Sequence, residues 1–149
     1  MENNVNFTFM KVSDLDEVVE IENKSFANPW TRDNFREAIE KDYCLFLTAR
    51  MKNGELAGYC GLYQSDKEAD ITNIAVNEKF RNLGVGMQML TQLIKIGESR
   101  HILDFTLEVR RSNSVAIRLY EKCGFESVGF RKNFYRNPIE DACIMWRYH

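Results

Sequence analysis

Arg81-Asn82-Leu83-Gly84-Val85-Gly86 is the stretch on which the rest of the chain turns. An apolar run over residues 71–76 precedes it. An amphipathic run over residues 85–96 follows, with Val85, Met89, Leu90, Leu93 and Ile94 at helical spacing. A strand therefore leads into a glycine-bearing turn, and the turn opens a helix that ends near Gly97. Two glycines let the backbone turn sharply and approach a bound group with no side chain between. The first N–H groups of a helix lack intrahelical acceptors and lie at the positive end of its dipole. The stretch reads as an anion site suited to a pyrophosphate.

Two familiar phosphate loops do not fit it. A Walker loop ends in Gly-Lys-Ser/Thr, and that ending is absent. A dinucleotide fingerprint needs a third glycine where this chain has Met89, and it belongs to a βαβ unit that the chain does not begin with. What remains is Arg-x-x-Gly-x-Gly behind a strand ending Ile74-Ala75-Val76. On the two glycines alone, a plain turn is the better explanation of the stretch.

At 149 residues the chain reads as one domain, with an ordinary apolar fraction and only 2 prolines. No apolar run reaches the length of a membrane span. The opening residues 1–4 are polar and acidic rather than basic and apolar, so a cytoplasmic protein is expected. Cys44, Cys60, Cys123 and Cys143 have no close spacing and only His101 and His149 accompany them, which predicts buried free thiols and no metal. Residues 1–80 hold 9 basic against 15 acidic side chains, and residues 81–149 hold 11 against 7. The basic half suits an anionic ligand and the acidic half a cationic one; two differently solvated faces would give the same count. No basic block interleaved with aromatics points to nucleic acid.

Upstream of the loop, Phe7 and Phe9 alternate with polar residues as in a short strand. Ser13 is placed to cap a helix, with Leu15, Val18, Val19 and Phe26 inward. Asn28-Pro29-Trp30 ends that segment, and Thr31 caps a second helix carrying Phe35, Ala38 and Ile39. Residues 44–50 and 56–63 read as a hairpin around Lys52-Asn53-Gly54, and residues 69–76 as the strand entering the loop. Downstream, residues 104–109 alternate cleanly, with Phe105, Leu107 and Val109 on one face and Thr106 and Glu108 on the other. Asn113 or Ser114 opens a helix carrying Val115, Ile117 and Leu119, which stops at Gly124. Residues 126–135 and 141–148 form a closing antiparallel pair split by Asn137-Pro138. The order is βααβββαβαββ, an α/β domain on a mixed, mostly antiparallel sheet.

This order and the loop together resemble the GCN5-related N-acetyltransferase (GNAT) family over nearly the whole chain. Three stretches narrow the resemblance to its RimI-type group, which acetylates the N-terminal alanine of a small-subunit ribosomal protein. One is Asn28-Pro29-Trp30-Thr31. A second is Leu107-Glu108-Val109-Arg110-Arg111-Ser112-Asn113 with Ala116, Leu119-Tyr120 and Gly124-Phe125. The third is Glu140-Asp141-Ala142 with Ile144-Met145. The resemblance implies an acyl-CoA cleft splayed between the fourth and fifth strands. It makes Arg81, Asn82, Leu83, Gly84, Val85 and Gly86 the pyrophosphate loop, and Ile74, Ala75 and Val76 the backbone that meets the pantetheine arm and acetyl carbonyl. Asn113 would hydrogen-bond the CoA arm, Glu108 would be the general base and Tyr120 the general acid. Trp30 and Tyr135 would line the substrate entrance.

The chemistry implied asks for these residue types. An α-amine of pKa about 7.7–8.0 costs only about 1 kcal/mol to deprotonate at neutral pH, against about 4–5 kcal/mol for a lysine. A carboxylate acting through water suffices for the former. A tyrosine hydroxyl can return a proton to the leaving thiolate. An acyl-cysteine route lacks a histidine partner for any cysteine. Acetyl-CoA and a ribosomal-protein N-terminus are thus the expected substrates of a monomer with neither metal, membrane nor nucleic acid. Each residue also has a structural reading: Glu108 as a solvated strand residue, Tyr120 as core, Asn113 as a helix cap, Trp30 as a loop pin and Arg81 as a surface charge. Two other functions keep the same loop: an acetyltransferase for another amine, such as lysine, polyamine or antibiotic, and a non-catalytic acyl-CoA-binding module.

Overall fold

A computed structural model describes residues 5–149; the polar opening at residues 1–4, and the expectation drawn from it, lie outside the described residues. The β2–β3 hairpin (Cys44–Met51 and Leu56–Ser65) is the centre of one half of the sheet. β1 (Val5–Phe9) pairs with its outer edge and β4 (Glu68–Val76) with its inner one, both antiparallel. β5 (Asp104–Arg110), β6 (Glu126–Tyr135) and β7 (Glu140–Arg147) form the other half, in the overall order β1-β2-β3-β4-β5-β7-β6. The element order read from the sequence is the observed one, in a mixed and mostly antiparallel sheet.

The halves meet at the only parallel pair of that order. It is short: Glu68, Ala69 and Asp70 pair with Asp104, Phe105 and Thr106, and beyond them β4 and β5 separate. A register shift in β4 contributes to this, because Gly61 opposes Asn73 while Leu62 opposes Ile71. The extra residue flips the alternation. Ala69 and Ile71 lie in the core on one face; past the shift Ile74 and Val76 pack against that core, and Ala75 enters the core on the other face.

Two cores flank the sheet. α3 (Val85–Ser99) presses Val85, Met89, Leu90, Leu93 and Ile94 onto one face, beside Phe105, Leu107 and Val109. α4 (Ser114–Lys122) adds Tyr120 to this side. On the other face α1 (Leu15–Ser25) and α2 (Arg32–Ile39) bury Leu15, Val18 and Phe35 against Phe46 and Tyr59. Among the described residues no helix is long and apolar enough to cross a membrane.

The capping expectations divide. Thr31 caps α2, its hydroxyl accepting the Asn34 N–H at 3.1 Å while Asn34 Oδ1 accepts the Thr31 N–H at 2.9 Å. Asn113 caps α4 by accepting the Ala116 N–H at 3.2 Å. Ser13 is no cap: a single 3-10 turn over Val12–Asp14 precedes α1, and Asp14 closes it by accepting the Lys11 N–H at 2.8 Å. The inward place expected for Phe26 belongs to Ile21, since the helix ends at Ser25 and Phe26 turns outward in extended backbone. Val115 is also exposed rather than core. All four thiols are free, but only Cys60 and Cys143 are buried; Cys44 and Cys123 sit at the ends of their elements, half-covered.

Candidate active site

A cleft of about 430 Å³ lies beside the end of β4, where it has parted from β5, and the glycine loop forms its floor. Asn82 and Gly84 both take left-handed backbone, with φ of 63° and 80°, which curls the loop so that successive N–H groups face inward. From Asn82 to Met87 these groups meet no acceptor among the described residues. At Gly86 a Cβ would stand 3.2 Å from Leu119 Cδ2, so the bare backbone is also what lets α3 and α4 approach. The arrangement offers converging donors and a helix dipole to an anion.

Nine of the ten positions expected to bind the cofactor line this one cleft: Ile74, Ala75, Val76, Arg81, Asn82, Gly84, Val85, Gly86 and Asn113. Leu83 is the exception, being exposed at the loop tip outside the lining. Arg81 folds back, its Nε donating to the Val76 carbonyl at 3.3 Å and tying the loop to the end of β4. Phe26, Phe80, Val115 and Ala116 supply an apolar wall that sequence reading missed. The outward turn of Phe26 and Val115 was the available sign, since exposed apolar side chains beside a glycine loop suit a ligand's carbon chain.

Across the gap stands Glu108. It lies on the face of β5 opposite Phe105, Leu107 and Val109, as the alternation predicts, and its Oε2 forms an ion pair with Arg131 Nε at 2.8 Å. Asp70, on β4, shares this face. Burial first and the Glu108 charge second raise its pKa, while Arg131 opposes them. Tyr120 comes from α4 on the other side of the sheet and is 6% exposed. Its hydroxyl makes no hydrogen bond among the described residues, and burial pushes its pKa upward. Tyr135 stacks under the Arg110 guanidinium at 4.6 Å; burial and then Glu108 push its hydroxyl up to about 12. Trp30 packs its ring on Phe35 and Phe46, at 5.1 and 5.9 Å, as a loop pin would. Its loop nevertheless reaches the β6–β7 turn, where Asn137 Nδ2 donates to Asn28 Oδ1 at 3.3 Å. The two stretches expected at the substrate entrance are therefore in contact.

A buried polar group holds that loop. Glu22, 2% exposed, accepts the Tyr59 hydroxyl at 2.5 Å and the Trp30 N–H at 2.9 Å. Burial raises the Glu22 pKa, and these two donors with the Asn73 amide work against the rise. Glu22 was legible as an acid four residues after Val18 and seven after Leu15, on the apolar stripe of α1. Tyr59→Phe should destabilise the protein by about 1–3 kcal/mol, the usual cost of stripping a donor from a buried charge. The loss is full at a pH where Glu22 is ionised and shrinks as pH falls through its raised pKa, because a protonated carboxyl has less need of the donor. Denaturant titrations of both proteins at neutral and acidic pH would check the difference; a constant loss would show that Glu22 does not titrate there.

This sheet order, with a cleft floored by N–H groups that meet no acceptor among the described residues, is that of an acetyltransferase fold. The chain belongs to the Acetyltransferase (GNAT) family, whose profile matches residues 15–125. A Bacillus subtilis (strain 168) protein, provisionally named a [ribosomal protein bS18]-alanine N-acetyltransferase, is 41% identical over 92% of this chain and 91% of its own. The Escherichia coli (strain K12) [ribosomal protein bS18]-alanine N-acetyltransferase is 34% identical over 91% and 92%. The crystal structure of the ribosomal-protein-S18-alanine N-acetyltransferase from Escherichia coli superposes with a TM-score of 0.88, covering 97% of this chain and 93% of that one.

Proposed function

We propose that this chain is, over its whole length, an acetyl-CoA-dependent Nα-acetyltransferase acting on the N-terminal alanine of the small-subunit ribosomal protein bS18, working as a cytoplasmic monomer. The observation that carries this reading is the position of Glu108 across the β4–β5 opening from a cleft lined by nine of the ten expected residues. The names of the relatives support the substrate. Four free thiols agree with a reducing compartment.

Acetyl-CoA, when bound, supplies the thioester carbonyl that the amine attacks. The curled loop at Asn82 and Gly84 would hold its pyrophosphate through backbone N–H groups, and Ile74 to Val76 would line its arm. Asn113 already spends Oδ1 on the α4 cap, which leaves its Nδ2 as the free donor on that side of the cleft. Glu108 would take the amine's proton directly or through water. Its ion pair with the exposed Arg131 must open for that, so that the amine or a water can reach the carboxylate oxygen. Tyr120 Oη, kept protonated by burial, would hold the proton that the leaving sulfur takes up. Trp30 and Tyr135 would border the peptide entrance, the first through its loop.

The deciding experiment measures thiol release with a peptide copying the ribosomal N-terminus. A second peptide carries a blocked α-amine and an internal lysine. Release only with the free α-amine is expected; release with both would make the enzyme a broad amine acetyltransferase. Gly84→Val should weaken acetyl-CoA binding about tenfold or more, since left-handed backbone costs a β-branched residue at least 1–2 kcal/mol and uncurling the loop forfeits its donors. Calorimetric titration with acetyl-CoA would read this, and unchanged affinity would remove the phosphate role from the loop.

A further inference from the structure

One buried side-chain polar atom among the described residues lacks a hydrogen-bond partner: Asn73 Oδ1. Asn73 is 5% exposed, and buried acceptors are rarely left unpaired without a reason. The orientation of its amide is dictated by Glu22, whose carboxylate tolerates only donors. Nδ2 therefore faces Glu22, where the Asn73 amide offsets part of the burial cost. Oδ1 is turned roughly 120° away on the same planar group.

The register shift decides what lies on that side. Simple alternation from Ala69 and Ile71 would put Asn73 beside them on the α3 face. The extra residue places it with Ala75 on the α1 face instead. Glu108 is on this face too, since Phe105, Leu107 and Val109 occupy the other. Asn73 and Glu108 thus sit on opposite lips of the β4–β5 opening, one residue and one strand away from the cleft lined by Ile74 and Ala75.

Resting on the reading of this chain as an α-amine acetyltransferase, we propose that Asn73 determines specificity: its Oδ1 accepts an N–H of the substrate's amino group from the lip opposite Glu108. A neutral primary amine has two N–H bonds and one lone pair. With one N–H directed to each lip, the lone pair is left pointing into the cleft between them. Asn73 takes no proton and, being uncharged, does not hold the amine as ammonium as a second carboxylate would. The substrate amine would supply the donor that no described residue offers this acceptor.

The test compares an alanine-initiated peptide with its des-amino counterpart, in which a propionyl group replaces the alanine, on the full chain saturated with CoA. The wild type should prefer the free amine. In Asn73→Leu, which has similar volume and no acceptor, and in Asn73→Ser, whose hydroxyl is too short to reach both partners, that preference should shrink about tenfold. Acetyl-CoA affinity should not change. An undiminished preference, or an equal loss of both peptides, overturns the proposal; so does loss of acetyl-CoA binding in both variants, which would make Asn73 a scaffold residue. A wild type that ignores the α-amine peptide altogether refutes the substrate reading instead, and the same comparison on whichever amine it does accept then judges Asn73.

Discussion

Glu108→Gln is expected to lower kcat/KM on the alanine-initiated peptide by about 10²–10³ near pH 6 and by far less near pH 9. The asymmetry comes from the substrate. An α-amine titrates at about 7.7–8.0, so at alkaline pH it arrives neutral and needs no base, whereas at acid pH a proton must be removed before attack. Gln is isosteric, so the β5 ladder and the packing of Phe105, Leu107 and Val109 stay intact, and acetyl-CoA affinity should be unchanged. Only the ion pair to Arg131 is lost, and that pair is largely exposed on the arginine side and contributes little to stability. A pH–rate profile of both proteins decides the matter. An equal loss at every pH would mean that Glu108 positions the substrate without accepting its proton.

Gly61→Ala should be strongly destabilising for the addition of a single methyl. A Cβ there would lie 2.2 Å from Phe46 Cε2, with two more ring atoms within 2.5 Å. The ring cannot yield, because Trp30 and Phe35 pack on it and Gly61 itself opposes Asn73 at the register shift. Overpacking of this kind costs about 1–3 kcal/mol or more, which for a chain of this size lowers Tm by about 5–10 °C. Gly129→Ala is the control: nothing lies within 4 Å of its Cβ, so stability should move by less than about 0.5 kcal/mol. Thermal melts of the two variants side by side test the pair of expectations; equal Tm values would show that the Phe46 ring is free to move.

The parts of this site that local chemistry dictates were readable in the chain. A strand, two glycines and an amphipathic run marked the strand–loop–helix unit, and period-two alternation put Glu108 on the open face of β5. Asn113 could be named because its capping bond spans three residues. What was hidden depended on geometry that accumulates. The 3-10 turn at Val12–Asp14 moved the start of α1 beyond Ser13 and left Phe26 at the cleft rather than in the core. The extra residue in β4 moved Asn73 to the face opposite the one its spacing from Ala69 assigns. Asp70 and Arg131 join Glu108 only through strand pairings distant in sequence, and nothing local marks them.

The brief contact between β4 and β5 has a further consequence. Only three residue pairs join the strands across that seam, so beyond them β4 and β5 give each other no ladder bonds. An extended molecule seated in the cleft would lie where a pairing strand otherwise would. Occupancy should therefore be felt as rigidity across the seam, with amides of the separated β4 and β5 segments exchanging with solvent more slowly once the cleft is filled.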